Sequence, residues 1–392
     1  MSGRLQRGAI SVVQVFGLAV WFSVSAVVPS LRTDWGISAA SAVWLTGAVQ
    51  LGFVTGAVAA TLLNLADRVR PHLLMAGSAA AAAGCTMVLA GSVTGMAGAI
   101  PLRFLTGVCL AGVYPVGMKL MASWSGSDRR GIALGILVGA LTLGSALPHL
   151  IAGLGALPWR VVLFTASGVG IAGALVAVTV VRAGPHLAAG APVRNPRYAM
   201  TMFAERGPRL ANLGYFGHMW ELYALWTWIP AFLLAADDTG KVEIFVFLAI
   251  GAAGAAGCLL GGWCADRYGR APTAMAALLA SGLCCLLSPW AFGMPPAFRA
   301  VFCIVWGAAV IADSAVFSTS LSEVADSRYV GTALTAQTAI GFALTVVSIQ
   351  LVPLLAGLVG WRYAFLLLAP GPLLGAAAMR AFGSRLSPPR PA

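Results

Sequence analysis

Three ionisable side chains, His218, Glu221 and Asp313, stand inside long apolar runs of the chain. His218 and Glu221 are three residues apart in Gly217-His218-Met219-Trp220-Glu221-Leu222-Tyr223, a spacing that puts both on one face of a helix. Imidazole and carboxylate groups together in an apolar medium can hold and pass a proton, and histidine is the side chain suited to doing so near neutral pH. Arg103, Tyr114 and Lys119 share another apolar run, Trp21 lies in the first, and Trp220 and Tyr223 flank Glu221. A charged side chain at the centre of a bilayer costs about 3 kcal/mol or more unless paired or hydrated, so each marks either function or a built partner.

Both readings stay open at each position. Glu221 serves proton coupling or substrate, or pairs within the protein. His218 acts directly, or donates to a carbonyl or to Glu221. Asp313 faces a site or bonds a neighbouring helix. Lys119 meets substrate or snorkels to the membrane surface, and Arg103 meets substrate or ties helices together. Trp220 and Tyr223 can face substrate, whereas Trp226, Trp228 and His149 read as interfacial. No catalytic constellation is expected, because the chain has neither a His-Glu-x-x-His metal motif nor a Gly-x-x-x-x-Gly-Lys-Ser/Thr phosphate loop. The seven cysteines have no metal or disulfide spacing, so no metal or other cofactor is expected.

The elements that position these groups are transmembrane helices. Of 392 residues, 59% are hydrophobic and 9% charged, against roughly 25% charged in a soluble domain. Only the bilayer can accept that much apolar surface. A helix needs roughly 20 apolar residues to cross it. Such runs fall at about 9–31, 42–65, 73–92, 99–122, 132–154, 160–182, 211–235, 242–264, 272–292, 297–320, 331–355 and 361–382. The expected fold is therefore all-α, with twelve transmembrane helices. The first run is too long for a signal peptide and counts as a helix.

Orientation follows from the basic residues. Of 24 lysines and arginines, Arg103 and Lys119 lie within spans. Five more, Arg32, Arg160, Lys241, Arg299 and Arg362, fall in loops on one side, leaving 17 on the other. That bias places both termini in the cytoplasm and accounts for the net charge of +12 without a nucleic-acid partner. Asp67-Arg68 and Asp266-Arg267, Asp128-Arg129 and Asp326-Ser327-Arg328, and Trp159-Arg160 and Trp361-Arg362 recur at equivalent places. The chain thus reads as two parallel six-helix repeats, 1–182 and 211–392. Between them 183–210 is a polar cytoplasmic linker with a short helix around 197–206.

The run Gly262-Trp263-Cys264-Ala265-Asp266-Arg267-Tyr268-Gly269-Arg270 resembles the loop motif of the major facilitator superfamily, and the likeness covers essentially the whole chain. The first-half copy keeps Asp67-Arg68 but lacks the glycines. Arg103, Gly107 and Gly112 resemble the family's second motif. The resemblance implies a twelve-helix fold, a cytoplasmic gate at Gly262, Asp266, Arg267, Gly269, Arg270, Asp67 and Arg68, and a central cavity lined by the first, fourth, seventh and tenth helices. Glu221, His218, Asp313, Lys119, Arg103, Tyr114, Trp220, Tyr223 and Trp21 all belong to those helices. The function implied is secondary transport of a small solute by a monomer in the cytoplasmic membrane, coupled to protons. The mixed charges suit an organic anion or zwitterion, and the aromatic content suits efflux of an amphiphilic compound. A receptor would need a larger soluble part than any loop provides.

Overall fold

A computed structural model describes residues 2–63, 65–126, 130–154, 157–187, 197–236, 242–326 and 329–386, and every regular element among them is helical. With no water in the hydrocarbon core, a chain this apolar satisfies its backbone only by helix formation. Eleven helices among the described residues are long and apolar enough to cross a membrane. The chain is a multi-pass membrane protein.

The first predicted span is not one helix. It divides into α1 (Gly3–Gly17) and α2 (Val28–Trp35), with turns and a single 3-10 turn at Ser25–Val27 between them. The break survives because freed carbonyls find donors: Ser23 Oγ donates to Val20 O at 2.9 Å, and an arginine from another helix completes the set. Then follow α3 (Trp44–Leu62), α4 (Pro71–Ser92), α5 (Met96–Leu110), α6 (Tyr114–Ser123), α7 (Arg130–Gly153) and α8 (Trp159–Thr179). Here α5 and α6 are two parts of one predicted span, broken at Ala111–Val113.

After a short helix at Tyr198–Thr201 comes α9 (Arg206–Ala236), which begins five residues earlier than the sequence suggested. α10 (Val242–Val246) and α11 (Gly254–Tyr268) are joined by a π-helical stretch at Phe247–Ala253, and α12 (Arg270–Phe292) follows. The tenth predicted span is broken at Ala312–Asp313 into α13 (Pro296–Ile311) and α14 (Ser314–Val324). α15 (Val330–Val359) and α16 (Pro370–Leu386) complete the bundle.

Helix contacts fall into two matching series. α3 packs on α5, α4 on α8, and α1 on both α7 and α8. Correspondingly α11 packs on α13, α12 on α16, and α9 on both α15 and α16. α7 against α11 and α3 against α15 join the series. Glycines set the spacing at equivalent places, since small residues let membrane helices approach closely. A Cβ at Gly107 would stand 2.0 Å from Val49 O, and one at Gly307 would stand 1.9 Å from Ala249 O.

Candidate functional site

Where the broken stretch after α1 meets α3, α9 and α15, six aromatic rings form one cluster. Trp21 stacks near Tyr223 and Phe342 at centroid distances of 5.8 and 5.7 Å, and lies 5.0 Å from Phe53. Phe22 lies 5.8 Å from Tyr223 and 5.7 Å from Trp226, which itself meets Tyr223 edge-on at 5.5 Å. Trp21 and Trp226 are each 1% exposed, and neither indole N–H has a hydrogen-bond partner among the described residues. Trp226 is therefore central, not part of the interfacial belt that its neighbours in sequence suggested. Trp228 is likewise buried and donates to Ile349 O at 2.8 Å.

The acidic and histidine side chains sit beside this junction, on the α9 face that meets the broken tenth span. His218 Nδ1 lies 2.9 Å from Asp313 Oδ1, each residue being 1% exposed. His218 also packs against Phe317, at 5.4 Å between centroids. Asp313 occupies the N-cap position of α14, at the discontinuity itself. Glu221 meets the same span elsewhere: Trp306 Nε1 donates to its Oε1 at 2.7 Å, and Cys285 Sγ lies 3.2 Å from that oxygen. The shared face expected for His218 and Glu221 holds, but each has its own partner. Trp220 points to another neighbour and donates to Leu367 O at 3.0 Å, so it faces the start of α16 and not the ring cluster.

Arg103 is fully buried on α5. Its guanidinium donates to Leu45 O at 3.1 Å, to Val20 O at 3.0 Å and to Trp21 O. This is the donor set that the break after α1 requires, so the arginine is engaged by backbone. Tyr114 and Lys119 lie half-buried on α6, with Tyr114 packed against the core.

The contact of α7 with the span made of α10 and α11 is closed at both ends. At the arginine-rich end, Asp266 Oδ2 accepts the Ile132 N–H at 2.9 Å, a carboxylate on the N-terminus of α7 where free N–H groups and the helix dipole favour it. No side chain fits between: a Cβ at Gly131 would stand 2.1 Å from Asp266 Oδ1, and one at Gly262 2.8 Å from Gly131 O. Gly269 turns the chain into α12 at φ 92°, a conformation that favours glycine. Arg267 lies 5.7 Å from the ring centroids of both Trp263 and Tyr268, and Arg270 pairs with Glu323. At the opposite end His149 Nδ1 of α7 meets Glu243 Oε2 of α10 at 2.5 Å, a contact between helices. Arg68 is exposed, and the Asp67 side chain lies outside the described residues.

Sequence reasoning did not find Phe22, Phe53 and Phe342, nor the Trp306 partner of Glu221. Phenylalanine in a transmembrane run carries no local signal. Their convergence depends on four helices far apart in the chain.

No curated protein shows a significant sequence match to the chain. The sequence model of the Major Facilitator Superfamily matches residues 10–349, most of the helical bundle and every residue of the ring cluster. The chain belongs to the Major Facilitator Superfamily, a family of membrane transporters.

Proposed function

We propose that the chain is a secondary active transporter, moving a small solute by alternating access and coupling it to protons through the His218–Asp313 pair. The observation that carries this is the position of the pair: 2.9 Å apart, 1% exposed, and at the helix break between α13 and α14. A change of protonation there alters a contact between two helices at the point where the backbone can pivot. Solute and proton then shift the balance between outward- and inward-facing states.

Two parallel six-helix repeats, 1–182 and 211–392, joined by the linker 183–210, are the framework for that motion. The two matching series of helix contacts support it, with the first predicted span counted as the twelfth crossing. The arginine bias favours cytoplasmic termini in the cytoplasmic membrane. The protein acts as a monomer. Asp266 on the N-terminus of α7 and His149–Glu243 at the far end act as the inner and outer gates. For the solute, the anion or zwitterion reading retains Lys119 but loses direct contact with Arg103. The amphiphilic reading gains from the six rings at the junction.

The test is transport-linked pH change in proteoliposomes over a panel of small solutes, with wild type, Asp313→Asn and Glu221→Gln side by side. One solute should move protons with the wild-type protein, and Asp313→Asn should keep solute exchange while losing proton movement. Wild-type transport without proton movement, matched by Asp313→Asn, would overturn the coupling. Chemical turnover of a solute by purified protein without vesicles would overturn the transporter reading in favour of an enzyme.

A further inference from the structure

The polar atoms of the ring cluster point to a ligand chemistry. Trp21 and Trp226 offer indole N–H groups, which donate and never accept. Both are buried without partners among the described residues, and both rings touch Tyr223. Gln50 lies one helical turn from Phe53 on α3, is fully buried, and has neither amide atom bonded among the described residues. Unpaired donors in so dry a place are costly, and a bound molecule bearing lone pairs removes that cost. The Arg103 guanidinium bonds the Trp21 carbonyl, and the three groups it touches are neutral carbonyls. Its charge stands on one side of the cluster and the Glu221 and Asp313 carboxylates on the other, so it is the unpaired indole donors, which an ammonium group without lone pairs cannot satisfy, that disfavour a cation there. The rings stack on one another in this closed arrangement, so separating the helices frees flat faces for a flat ligand.

We propose that this junction binds a flat aromatic solute whose rim carries hydrogen-bond acceptors, a carboxylate or a carbonyl, seated between the rings with the Trp21 and Trp226 indoles donating to it. The inference rests on the transporter reading and narrows its solute. A cationic amphiphile, also aromatic, is the class it excludes. Acceptor position is read by the two indoles.

The experiment is equilibrium binding to the purified full chain of four probes sharing one ring system: naphthalene carboxylate, naphthalene carboxamide, trimethylnaphthylammonium and methylnaphthalene. Wild type should bind the carboxylate or the carboxamide at least about tenfold more tightly than the other two, the equivalent of one hydrogen bond. Trp21→Phe and Trp226→Phe keep a ring and delete the N–H. Each should cut that preference at least severalfold while methylnaphthalene, which has no acceptor, still binds, which also reports that the site is still folded. Trp290→Phe, at an exposed tryptophan elsewhere, should change nothing. Should either cluster variant fail to fold, the wild-type order of the four probes decides alone. Preference for the ammonium compound, equal binding of all four, no binding of any, or unchanged preference in both folded variants would each overturn the proposal. If a cationic or non-aromatic solute nevertheless drives protons in vesicles, the transporter reading stands and only this ligand class falls.

Discussion

The first and tenth predicted spans are both broken in mid-course, and a buried ionisable side chain stands at each break, yet the charges are satisfied in opposite ways. Arg103, on α5, spends its guanidinium on the carbonyls of Val20, Trp21 and Leu45. Asp313, between α13 and α14, faces another titratable group, His218, at 2.9 Å. A carbonyl has one state, so the arginine contact is fixed and acts as a splint for the broken first span. A carboxylate facing an imidazole has several proton arrangements, so that contact can change during a cycle. Burial alone does not mark function; the partner does.

The strongest way to break this contrast is Arg103→Ala. The Leu45 and Trp21 carbonyls would lose the guanidinium and the Val20 carbonyl would keep only Ser23 Oγ, in a region without water, at about 1–3 kcal/mol for each left unpaired. The expected result is a large drop in the yield of folded protein and in the melting temperature in detergent. Arg103→Lys, with three donors on one compact head, should recover part of the stability, because it cannot reach all three acceptors in the same geometry. A folded, transport-competent Arg103→Ala protein would show that the first span holds its break without a splint.

Next in size is Asp313→Asn. The amide fills the same space and still bonds His218, so the melting temperature should stay within a few degrees of wild type while proton movement in vesicles is lost. Reversal of that pattern, stability lost and coupling kept, would make the pair a second splint and erase the difference between the two breaks.

Asp266→Ala should have a smaller effect on stability and a directional one on conformation. The Ile132 N–H at the start of α7 loses its acceptor, a capping change worth about 0.5–2 kcal/mol. That sum shifts a two-state equilibrium by about a few-fold to thirtyfold. Labelling of a cysteine placed at Ala255, on the α7–α11 contact, should rise from the arginine-rich side. His149→Ala removes the contact with Glu243 at the other end and should raise labelling from the opposite side. Equal effects of both variants on both sides would show that these contacts brace the closed bundle without gating either end.

How much of this was legible beforehand depends on whether the cause is local. Apolar length located the spans, and Gly269 stood out because a φ of 92° between α11 and α12 demands a residue type the sequence displays. The face shared by His218 and Glu221 was legible from a spacing of three. The interruption after Gly17 was not, because Leu18 to Val24 is as apolar as a continuous helix and the break depends on an arginine more than eighty residues away. The π-helical stretch at Phe247–Ala253 has no compositional mark either. Arg103 was visible as a buried charge, but its partners are carbonyls, and carbonyls are the same at every position. Of the six rings, Trp21 and Tyr223 were flagged, Trp226 was assigned to the interfacial belt, and Phe22, Phe53 and Phe342 looked like any lipid-facing residue.

The smallest expected effect sharpens the comparison within the second half itself. Glu221 is as deeply buried as Asp313, but the Trp306 indole and the Cys285 thiol both donate to one of its oxygens. The indole keeps its proton throughout, so the Trp306 contact resembles the fixed bonds of Arg103 more than the changeable contact of Asp313. Glu221→Gln retains a carbonyl oxygen for the Trp306 N–H at the same position. Its melting temperature should move by no more than the equivalent of about 1 kcal/mol, the worth of one neutral hydrogen bond. Proton movement per solute should match wild type in the same vesicles in which Asp313→Asn shows none. Trp306→Phe should then behave as Glu221→Leu does, lowering stability without altering the proton-to-solute ratio. If Glu221→Gln instead abolishes proton movement while Asp313→Asn retains it, the two carboxylates exchange roles, and the group bonded to a fixed donor is the one that cycles.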